Sequence, residues 1–412
     1  TVESLGLLYA LHWPFFQPTT ARGVRRSALH DRLAARGACF GEVAGWERTN
    51  WFAPEGVAPE YEYTYGKQNW FSHSAAEHHA VRTAAGIFDI SHMAEILVSG
   101  PDAPAFLDYA LAGKLSAIAL GQAKYSLLLA ESGGIIDDLV VYRRADDAFL
   151  VVANAGNRFP VVAALTERAG DFDVTIEDQS DDISLIAVQG PLSRGILEAT
   201  AGIAQLATPL DELKYYWSTD AKFGDLPLII GRTGYTGEDG YELYVQADAA
   251  ASLWEALISA GAPFGLVPAG LASRDTLRLE AGMPLYGHEL NLDTFPVQAG
   301  LGRVVALSKE GDFVGRAAIE AGPPADARVL VGLRGEGKRA GRADYLIFDG
   351  DDEVGIITSG ALSPTLGYPI AMAYVDVASS AAGTTLEIDV RGSRVAASVV
   401  PLPFYKKEEN HG

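Results

Sequence analysis

The chain has 412 residues, of which 48% are hydrophobic, enough for two or three globular domains. Its formal net charge of −21 argues against nucleic acid and anionic membrane surfaces as partners, and its short, interrupted apolar runs predict no transmembrane helix. The chain has a single cysteine, Cys39, which excludes an internal disulfide and is expected to be a packed thiol. The N-terminus lacks a signal-peptide pattern. These two features predict a cytoplasmic protein.

Residues 1–75 are rich in aromatic side chains and in Pro/Gly turns. One helix is predicted from about Ser27 to Arg36, and the aromatic side chains are expected to pack on the body or to cap a ligand. A second helix is predicted from Glu77 to Ala85. His78 and His79 point to different faces of that helix and cannot chelate one metal ion, so we expect solvated or capping residues.

Two adjacent carboxylates interrupt a predicted strand. The run Tyr125–Leu129 predicts a buried strand, SGG turns the chain, and IIDDLVVYR predicts a returning strand. Alternation sends Asp137 and Asp138 to opposite faces, so one can face solvent while the other faces a pocket; alternatively, both are solvated residues beside the turn. Asn154 and Asn157 follow the next predicted strand and are expected to serve turns or helix caps.

The central stretch is RTGYTGEDGYELY, from Arg232 to Tyr244, which joins two predicted strands. Its three glycines allow tight turns or the close approach of a ligand. The pattern is compatible with an ordinary acidic β-hairpin. Tyr235 and Glu242, however, offer a flat ring and a hydrogen-bonding carboxylate, which suit a heterocycle with an amino-pyrimidinone edge.

Further along, the sequence predicts a charged helix and then a change of texture. The helix carries Arg274, Asp275, Arg278 and Glu280, whose spacing is typical of surface ion pairs. From about residue 326, short strands separated by Gly/Asp turns predict a separate all-β, barrel-like domain.

Several catalytic signatures are missing from the sequence. It contains no G-x-G-x-x-G after a leading strand, no P-loop, no G-x-S-x-G and no Cys/His metal cluster, so nothing supports nicotinamide binding, phosphoryl transfer or a metal site. The remaining constellation is one in-strand aspartate, several tyrosines, a glutamate and an arginine. It suits an electron-rich heterocycle.

The stretch GYTGEDGYE, residues 234–242, resembles the central motif of the folate-dependent aminomethyltransferases, the T-protein family of the glycine cleavage system. Other stretches agree in the same order: FDISHM (88–93), YSLLLAESGGIIDDLVVYR (125–143), AVQGP (187–191), GLVPAGLASRDTLRLEAGMPLYG (265–287), FPVQAGLG (295–302), DFVGR (312–316), TSGALSPTLGYPIAMAYV (358–375) and LPFYKK (402–407). Residues 29–71 are similar instead to the segment that opens the folate-binding half of dimethylglycine and sarcosine dehydrogenases.

The resemblance implies an α+β, multi-domain fold of the T-protein type, a cloverleaf around a folate pocket. Residues 1–75 would form an N-terminal extension, 76–325 a two-part folate-binding body and 326–412 a C-terminal β-barrel. Tetrahydrofolate is the implied cofactor, with no metal. Asp138 matches the family's essential aspartate and would stabilise positive charge at the transferred carbon. The implied cofactor-binding residues are Met93, Tyr125, Tyr142, Tyr216, Tyr235, Glu242 and Arg274.

The implied activity is the transfer of a one-carbon group from a small donor to tetrahydrofolate. Gln298 and Arg303 stand where the family usually has a glutamate and often an aromatic residue. With the dehydrogenase-like segment, they favour a methylated amine or its iminium, an O-methyl compound or a methylenedioxy compound as the donor. The alternatives are an aminomethyltransferase acting on a lipoyl carrier protein, a subunit working beside a separate flavoprotein, and a non-catalytic folate-binding protein, whose characteristic cysteine motif is absent here.

Overall fold

The computed structural model describes residues 2–7, 10–20 and 22–407. In chain order its helices are α1 (Val2–Leu7), α2 (His30–Ala35), α3 (Phe71–Thr83), α4 (Ala103–Ala110), α5 (Arg158–Ala169), α6 (Ser193–Ala199), α7 (Ala247–Gly261), α8 (Leu271–Glu280) and α9 (Arg316–Ala321). Its strands are β1 (Ala38–Val43), β2 (Trp46–Phe52), β3 (Ala85–Asp89), β4 (Ala94–Ser99), β5 (Ala123–Leu129), β6 (Ile135–Ala145), β7 (Ala148–Ala153), β8 (Thr175–Asp178), β9 (Ile183–Gln189), β10 (Ile203–Ala204), β11 (Ser218–Phe223), β12 (Leu226–Gly231), β13 (Gly240–Gln246), β14 (Leu266–Pro268), β15 (Val329–Gly335), β16 (Leu346–Asp349), β17 (Asp352–Leu362), β18 (Pro369–Val375), β19 (Thr385–Asp389) and β20 (Arg394–Val400).

The N-terminal part packs on the body through the antiparallel hairpin β1–β2. β2 meets the start of α8 so closely that a Cβ atom on Gly270 would lie 2.3 Å from the carbonyl oxygen of Asn50. Glu77 on α3 accepts hydrogen bonds from the backbone N–H groups of Phe52 (2.7 Å) and Gly270 (2.8 Å). This one carboxylate therefore joins α3, β2 and α8.

Cys39 is buried in a small cluster with Trp51, which has no exposed surface. Burial raises the pKa of the thiol to about 12, so it stays protonated and unreactive at neutral pH. Cys39 is therefore the packed thiol that the sequence predicts.

β13 lies at the centre of a seven-stranded sheet with the order β10-β11-β12-β13-β9-β3-β14. The predicted hairpin is present as β12 and β13, with Gly231 opposite Glu242. Leu243 and Val245 face a core that α7 completes with Leu253 and Trp254. Because side chains alternate along a strand, Glu242 points to the opposite face of the sheet.

A second sheet has the order β5-β6-β7-β4-β8. One face is covered by α4 and α5, and Leu139 and Val141 of β6 belong to that core. The other face of β6 carries Tyr142, which packs in a shared core with Tyr244 of β13. The two sheets therefore face each other, with Asp138 and Glu242 both directed into the space between them.

The last part of the chain is a closed six-stranded barrel, β15-β18-β17-β16-β19-β20. Its interior is filled by alternating apolar residues such as Leu333, Ile357, Ala373 and Val399. The mixed sheets, helices and barrel confirm the predicted α+β class with a C-terminal β-barrel. The division of the chain at residues 75 and 325 stays a prediction. Among the described residues, no helix combines the length and hydropathy needed to cross a membrane.

Some of the charged residues expected at the surface are buried instead. Glu280 and His78 have no exposed surface, and Arg278 is only 1% exposed. Glu280 accepts hydrogen bonds from Arg82 (2.9 Å) and the Thr365 N–H group (3.0 Å), and it contacts His78 Nε2 at 3.1 Å. The expectations of a solvated His78 and of a surface Glu280 are wrong, because α3 and the barrel cover the faces that local spacing leaves open.

Candidate active site

The two adjacent aspartates of β6 are held by one loop. Asp137 has no exposed surface and accepts hydrogen bonds from the backbone N–H of Asn154 (2.9 Å) and from the side chains of Asn154 (2.9 Å) and Asn157 (2.6 Å). Asp138, on the opposite face, accepts hydrogen bonds from Tyr125 Oη (3.0 Å) and Asn154 Nδ2 (2.8 Å). The alternative that both aspartates are solvated beside the turn is therefore excluded.

The role of Asn154 differs from the sequence-based expectation. Neither asparagine side chain caps a helix; both are used by carboxylates. The antiparallel register of β6 and β7 pairs Val140 with Val152, so its extension brings residue 154 opposite Asp138. Counting this register from the predicted hairpin is the signal that can identify Asn154 from the sequence.

Burial changes how these groups hold protons. It raises the pKa of Asp138 to about 6, although Tyr125 and Asn154 favour the charged form. Burial and the charge of Asp138 raise the pKa of Asp137 to about 7. Burial and the same charge raise the pKa of the Tyr125 phenol, so Tyr125 keeps its proton and donates it in the hydrogen bond. Asp138 can therefore gain or lose a proton near neutral pH.

The hairpin loop after β12 supplies the opposite wall. The guanidinium carbon of Arg274 lies 5.1 Å from the ring centroid of Tyr235. Arg274 Nη1 is buried and has no hydrogen-bond partner among the described residues. Burial lowers the pKa of Arg274, and the charge of Glu242 works in the opposite direction. A buried donor without a hydrogen-bond partner among the described residues is suited to the polar edge of a ligand.

Most of the predicted site residues lie on this surface. Burial raises the pKa of Tyr216, and the neighbouring Tyr215, Glu242 and Asp138 raise it further. The carboxylates of both sheets therefore act on the Tyr216 hydroxyl. Met93 packs against the core shared by the two sheets. Seven of the predicted residues are half-buried, and we call them the central site: Met93, Tyr125, Asp138, Tyr216, Tyr235, Glu242 and Arg274.

Tyr142 does not lie on the wall of the central site. Its side chain has no exposed surface, and its hydroxyl contacts Thr233 Oγ1 at 2.7 Å. Thr233 in turn donates a hydrogen bond to Glu242 Oε2 at 2.6 Å. Tyr142 thus stands behind Glu242, because the sheet that contains β13 covers its hydroxyl, although Tyr142 shares a face of β6 with Asp138.

Gln298, one of the departures from the family pattern, has a structural role. Its Oε1 accepts a hydrogen bond from the Phe295 N–H (3.0 Å), and its Nε2 donates one to the carbonyl oxygen of Arg328 (3.0 Å). Arg303, the other departure, is exposed on a short 3-10 turn, Gly302–Val304. Gln298 therefore ties its loop to the segment that enters the barrel.

A cleft of about 900 Å³ lies between the N-terminal part, α8 and the barrel. We call it the basic cleft, because its lining includes the cationic residues Lys67, Arg278, Lys338, Arg339, Arg342 and Arg391. Asp275 is the one acidic residue among the described residues that line it. Helix α8 carries Arg274 of the central site and, one turn later, Arg278 of the cleft, so the cleft borders the central site. Among the side chains that the structure describes, no group of His, Cys, Asp and Glu could hold a metal ion.

Comparisons with known proteins match nearly the whole chain. The GCVT N-terminal domain matches residues 29–309, and the glycine cleavage T-protein C-terminal barrel domain matches residues 328–406. An aminomethyltransferase from Cutibacterium acnes is 53% identical over 392 residues, which cover 94% of this chain and 100% of that protein. One from Streptomyces avermitilis is 49% identical, with 93% and 98% covered.

A solved structure agrees with these sequence comparisons. The glycine cleavage system aminomethyltransferase T from Bartonella henselae has a TM-score of 0.81 and 34% identity, covering 93% of this chain and 99% of that chain. The N-terminal domain match starts at residue 29, so the stretch 29–71 does not set this chain apart from aminomethyltransferases. The chain therefore belongs to the glycine cleavage T-protein family of aminomethyltransferases.

Proposed function

We propose that the chain transfers a one-carbon unit from the aminomethyl group of a lipoyl carrier protein to tetrahydrofolate. The observation that carries the proposal is Asp138, a buried carboxyl with a raised pKa that shares the central site with Glu242 and Arg274. The donor is the one that the sequence alone held as an alternative. The names of the relatives favour it, because they are aminomethyltransferases, one of them from a glycine cleavage system.

The residues of the central site fit the polar edge of a reduced pterin. Glu242 accepts one hydrogen bond from Thr233 through Oε2, which leaves Oε1 for the amino and ring N–H donors of the heterocycle. Arg274, with its unpartnered buried Nη1, offers a donor for a ligand oxygen or nitrogen. Tyr235 supplies a flat aromatic side chain to the same wall, with the Arg274 guanidinium over its ring. When bound, tetrahydrofolate supplies the nitrogens that take up the one-carbon unit.

Asp138 is the catalytic residue of the proposal. As a carboxylate it stabilises positive charge that develops at the transferred carbon, and with a pKa of about 6 it can also hold a proton at neutral pH. Tyr125 and Asn154 fix the direction of its two oxygens. Burial of Asp138 between the sheets strengthens the action of its charge.

The basic cleft is proposed as the docking surface of the carrier. The chain as a whole has a net charge of −21, yet this cleft is lined by five exposed Lys and Arg side chains, besides the buried Arg278, against one Asp. Such a local reversal of sign suits an acidic protein surface, which the field attracts and orients. Because α8 carries both Arg278 of the cleft and Arg274 of the central site, an arm that enters here is close to the central site.

The activity is tested by a reconstituted reaction. The chain is mixed with tetrahydrofolate and an aminomethyl-loaded lipoyl carrier, and ammonia and methylene-tetrahydrofolate are measured. We expect Asp138→Asn to lower kcat by about a hundredfold to ten-thousandfold. We expect the Kd of Asp138→Asn for tetrahydrofolate, measured by calorimetry, to stay within about threefold of the wild-type value. In the proposal, Glu242 and Arg274, not Asp138, bind the polar edge of the pterin.

The acid limb of the pH profile adds a sharper test. If the ionised Asp138 is required, kcat/KM falls as the pH drops below about 6, and this limb is absent from the residual activity of Asp138→Asn. Asp146→Asn is the matched control, because Asp146 lies fully exposed in the turn that follows β6. Full activity of Asp138→Asn, or no tetrahydrofolate binding by the wild-type chain, would reject the proposed function.

Docking in the basic cleft is tested by reversing one charge. Arg339 is exposed there, and Arg339→Glu is expected to raise the KM for the carrier about three- to tenfold and to weaken its salt dependence, with the KM for tetrahydrofolate unchanged. Arg194→Glu on α6 is the control, since Arg194 is about as accessible and lies outside the cleft. Equal effects of both variants on the carrier KM would reject the cleft as the docking surface.

A further inference from the structure

Behind Glu242, a row of hydroxyl groups runs into the core between the two sheets. Tyr244 Oη lies 3.3 Å from Tyr142 Oη, which lies 2.7 Å from Thr233 Oγ1, which lies 2.6 Å from Glu242 Oε2. Tyr142 has no exposed surface, and Tyr244 and Thr233 are each 3% exposed. The row thus links a half-buried carboxylate of the central site to groups that no ligand reaches.

The direction of every hydrogen bond in this row follows from counting hydrogens. A carboxylate only accepts, so Thr233 donates its single hydroxyl hydrogen to Glu242. Thr233 therefore accepts from Tyr142, and Tyr142 in turn accepts from Tyr244. Each tyrosine keeps its proton, because burial raises the pKa of both phenols. All three hydroxyl dipoles therefore point towards Glu242 Oε2.

The backbone leaves room for this row at one glycine. Gly231 stands opposite Glu242 in the β12–β13 register, and a Cβ atom there would lie 2.7 Å from Tyr142 Oη. A side chain at this position would displace the tyrosine hydroxyl or the strand. Glycine at position 231 is therefore part of the arrangement that lets Tyr142 reach Thr233.

We propose that Thr233, supported by Tyr142 and Tyr244, is a positioning residue that sets the ligand specificity of Glu242. Oε2 is occupied by Thr233, while Oε1 has no hydrogen-bond partner among the described residues. The carboxylate is thereby held in one orientation before any ligand arrives, which lowers the entropy lost on binding. The ligand class it selects is a heterocycle with adjacent amino and ring N–H donors. This inference rests on the proposed folate function.

The experiment compares substitutions that remove hydroxyl groups and keep shape. Thr233→Val is expected to raise the Kd for tetrahydrofolate about tenfold, and Tyr142→Phe about threefold. Thr233→Ser keeps the hydroxyl and is expected to rescue binding. In the Thr233→Val background, Tyr142→Phe is expected to add nothing, since the row is already broken. Melting temperatures accompany each affinity, and Tyr142→Phe carries the test if Thr233→Val does not fold.

The chain offers a matched control on the same strand. Tyr241 is also completely buried, but its hydroxyl has no hydrogen-bond partner among the described residues and lies on the other face of β13. Tyr241→Phe removes one buried phenolic hydroxyl outside the row. It is expected to leave the Kd for tetrahydrofolate unchanged.

A second readout separates positioning from general stability. The wild-type chain is expected to bind tetrahydrofolate more tightly than an analogue in which a methyl group replaces the 2-amino group. Thr233→Val is expected to reduce this discrimination about fivefold. The misaligned carboxylate of Glu242 loses more binding free energy with tetrahydrofolate, which has the 2-amino group, than with the methyl analogue. A loss of affinity for both ligands by the same factor would indicate a merely structural role and overturn the inference.

The remaining outcomes are also decisive. Wild-type affinity and discrimination in Thr233→Val, or additive effects of Thr233→Val and Tyr142→Phe, would overturn the inference and leave the proposed function intact. No binding of tetrahydrofolate by the wild-type chain would overturn the proposed function and the inference together. The wild-type measurement therefore distinguishes the two failures.

Discussion

At the residue scale, two neighbouring carboxyl groups have different roles because they have different partners. Asp137 is saturated by three donors from Asn154 and Asn157 and has no exposed surface. Asp138 has donors on both oxygens but remains half-buried in the central site. We infer that Asp137 anchors the loop after β7, while Asp138 alone is available to a reacting group.

Glu95 on β4 is another buried carboxyl, and its side chain lacks hydrogen bonds. It has no exposed surface, and neither side-chain oxygen has a hydrogen-bond partner among the described residues. Burial raises its pKa well above the ordinary 4.5, so the folded chain holds a proton there. The unfolded chain releases this proton as the pH rises above about 4.5, so stability falls from that pH up to the raised pKa.

Glu95→Met is therefore expected to increase the free energy of unfolding by about 1–3 kcal/mol at pH 8, because burying an apolar side chain carries no desolvation penalty. The increase is expected to be smaller at pH 5. Urea denaturation at the two pH values measures the change. Glu177→Met on the adjacent β8 is the control, since Glu177 is exposed. A loss of stability in Glu95→Met would show that the carboxyl is well paired in solution.

At the element scale, the β5–β6 hairpin is positioned by a segment more than 150 residues away in the chain, residues 291–295. The Ile135 N–H donates a hydrogen bond to the carbonyl oxygen of Asn291 at 3.0 Å. A Cβ atom on Gly134 would lie 1.7 Å from the carbonyl oxygen of Leu292. The turn that precedes the two aspartates thus lies directly against the backbone of residues 291–292.

Gly134→Ala is expected to destabilise the chain by about 1–3 kcal/mol. The added methyl group would collide with the Leu292 backbone, which cannot move aside as a flexible side chain can. It should also reduce transfer activity, since Asp138 follows on the same strand. Thermal and urea unfolding measure the first effect, and the reconstituted assay the second. Gly156→Ala, where a Cβ atom meets nothing within 4 Å, is expected to change neither. Unchanged stability of Gly134→Ala would contradict the close approach.

At the scale of the whole molecule, Glu280 joins parts that are far apart in sequence. Its carboxylate binds Arg82 on α3 and the Thr365 N–H of the barrel, and its own carbonyl oxygen accepts from the Tyr405 N–H at 2.8 Å. Arg82 also contacts Glu238 of the central hairpin loop at 3.0 Å. Despite burial, the hydrogen bonds and the charges of its partners lower the pKa of Glu280 to about 2.

Glu280→Gln is expected to reduce the free energy of unfolding by about 3–5 kcal/mol at pH 7, because Arg82 is left buried with less compensation. A carboxyl with a lowered pKa contributes stability above the unfolded value of 4.5, and this contribution is lost as the pH falls towards about 2. The difference between wild type and variant should therefore shrink at low pH.

Urea denaturation across this pH range measures the effect of Glu280→Gln. Glu320→Gln on α9 is the control, since Glu320 is 54% exposed in an ion pair with Arg316 one helical turn away. A difference between wild type and Glu280→Gln that stays constant from pH 7 to pH 3 would contradict the ionised network.

Much of the fold and of the central site follows from local pattern. The hairpin with Glu242, the strand with Asp138 and the strands of the barrel all lie where alternation and turn residues predict them. The Asn154 contact was missed, although the register of the β6–β7 hairpin implies it. Local periodicity is informative here because one face of each strand is apolar, and a one-residue shift would expose that face.

The sequence by itself determined the class of fold and the motifs of the family, and through that resemblance it proposed the residues of the site. Only the tertiary structure decided that Tyr142 lies behind Glu242 through Thr233, and that His78 and Glu280 are buried partners 202 positions apart. Periodicity shows which face of an element is apolar. It carries no information about which distant segment covers a polar face, and that segment determines whether a charged or hydroxyl group meets water, a ligand or another side chain.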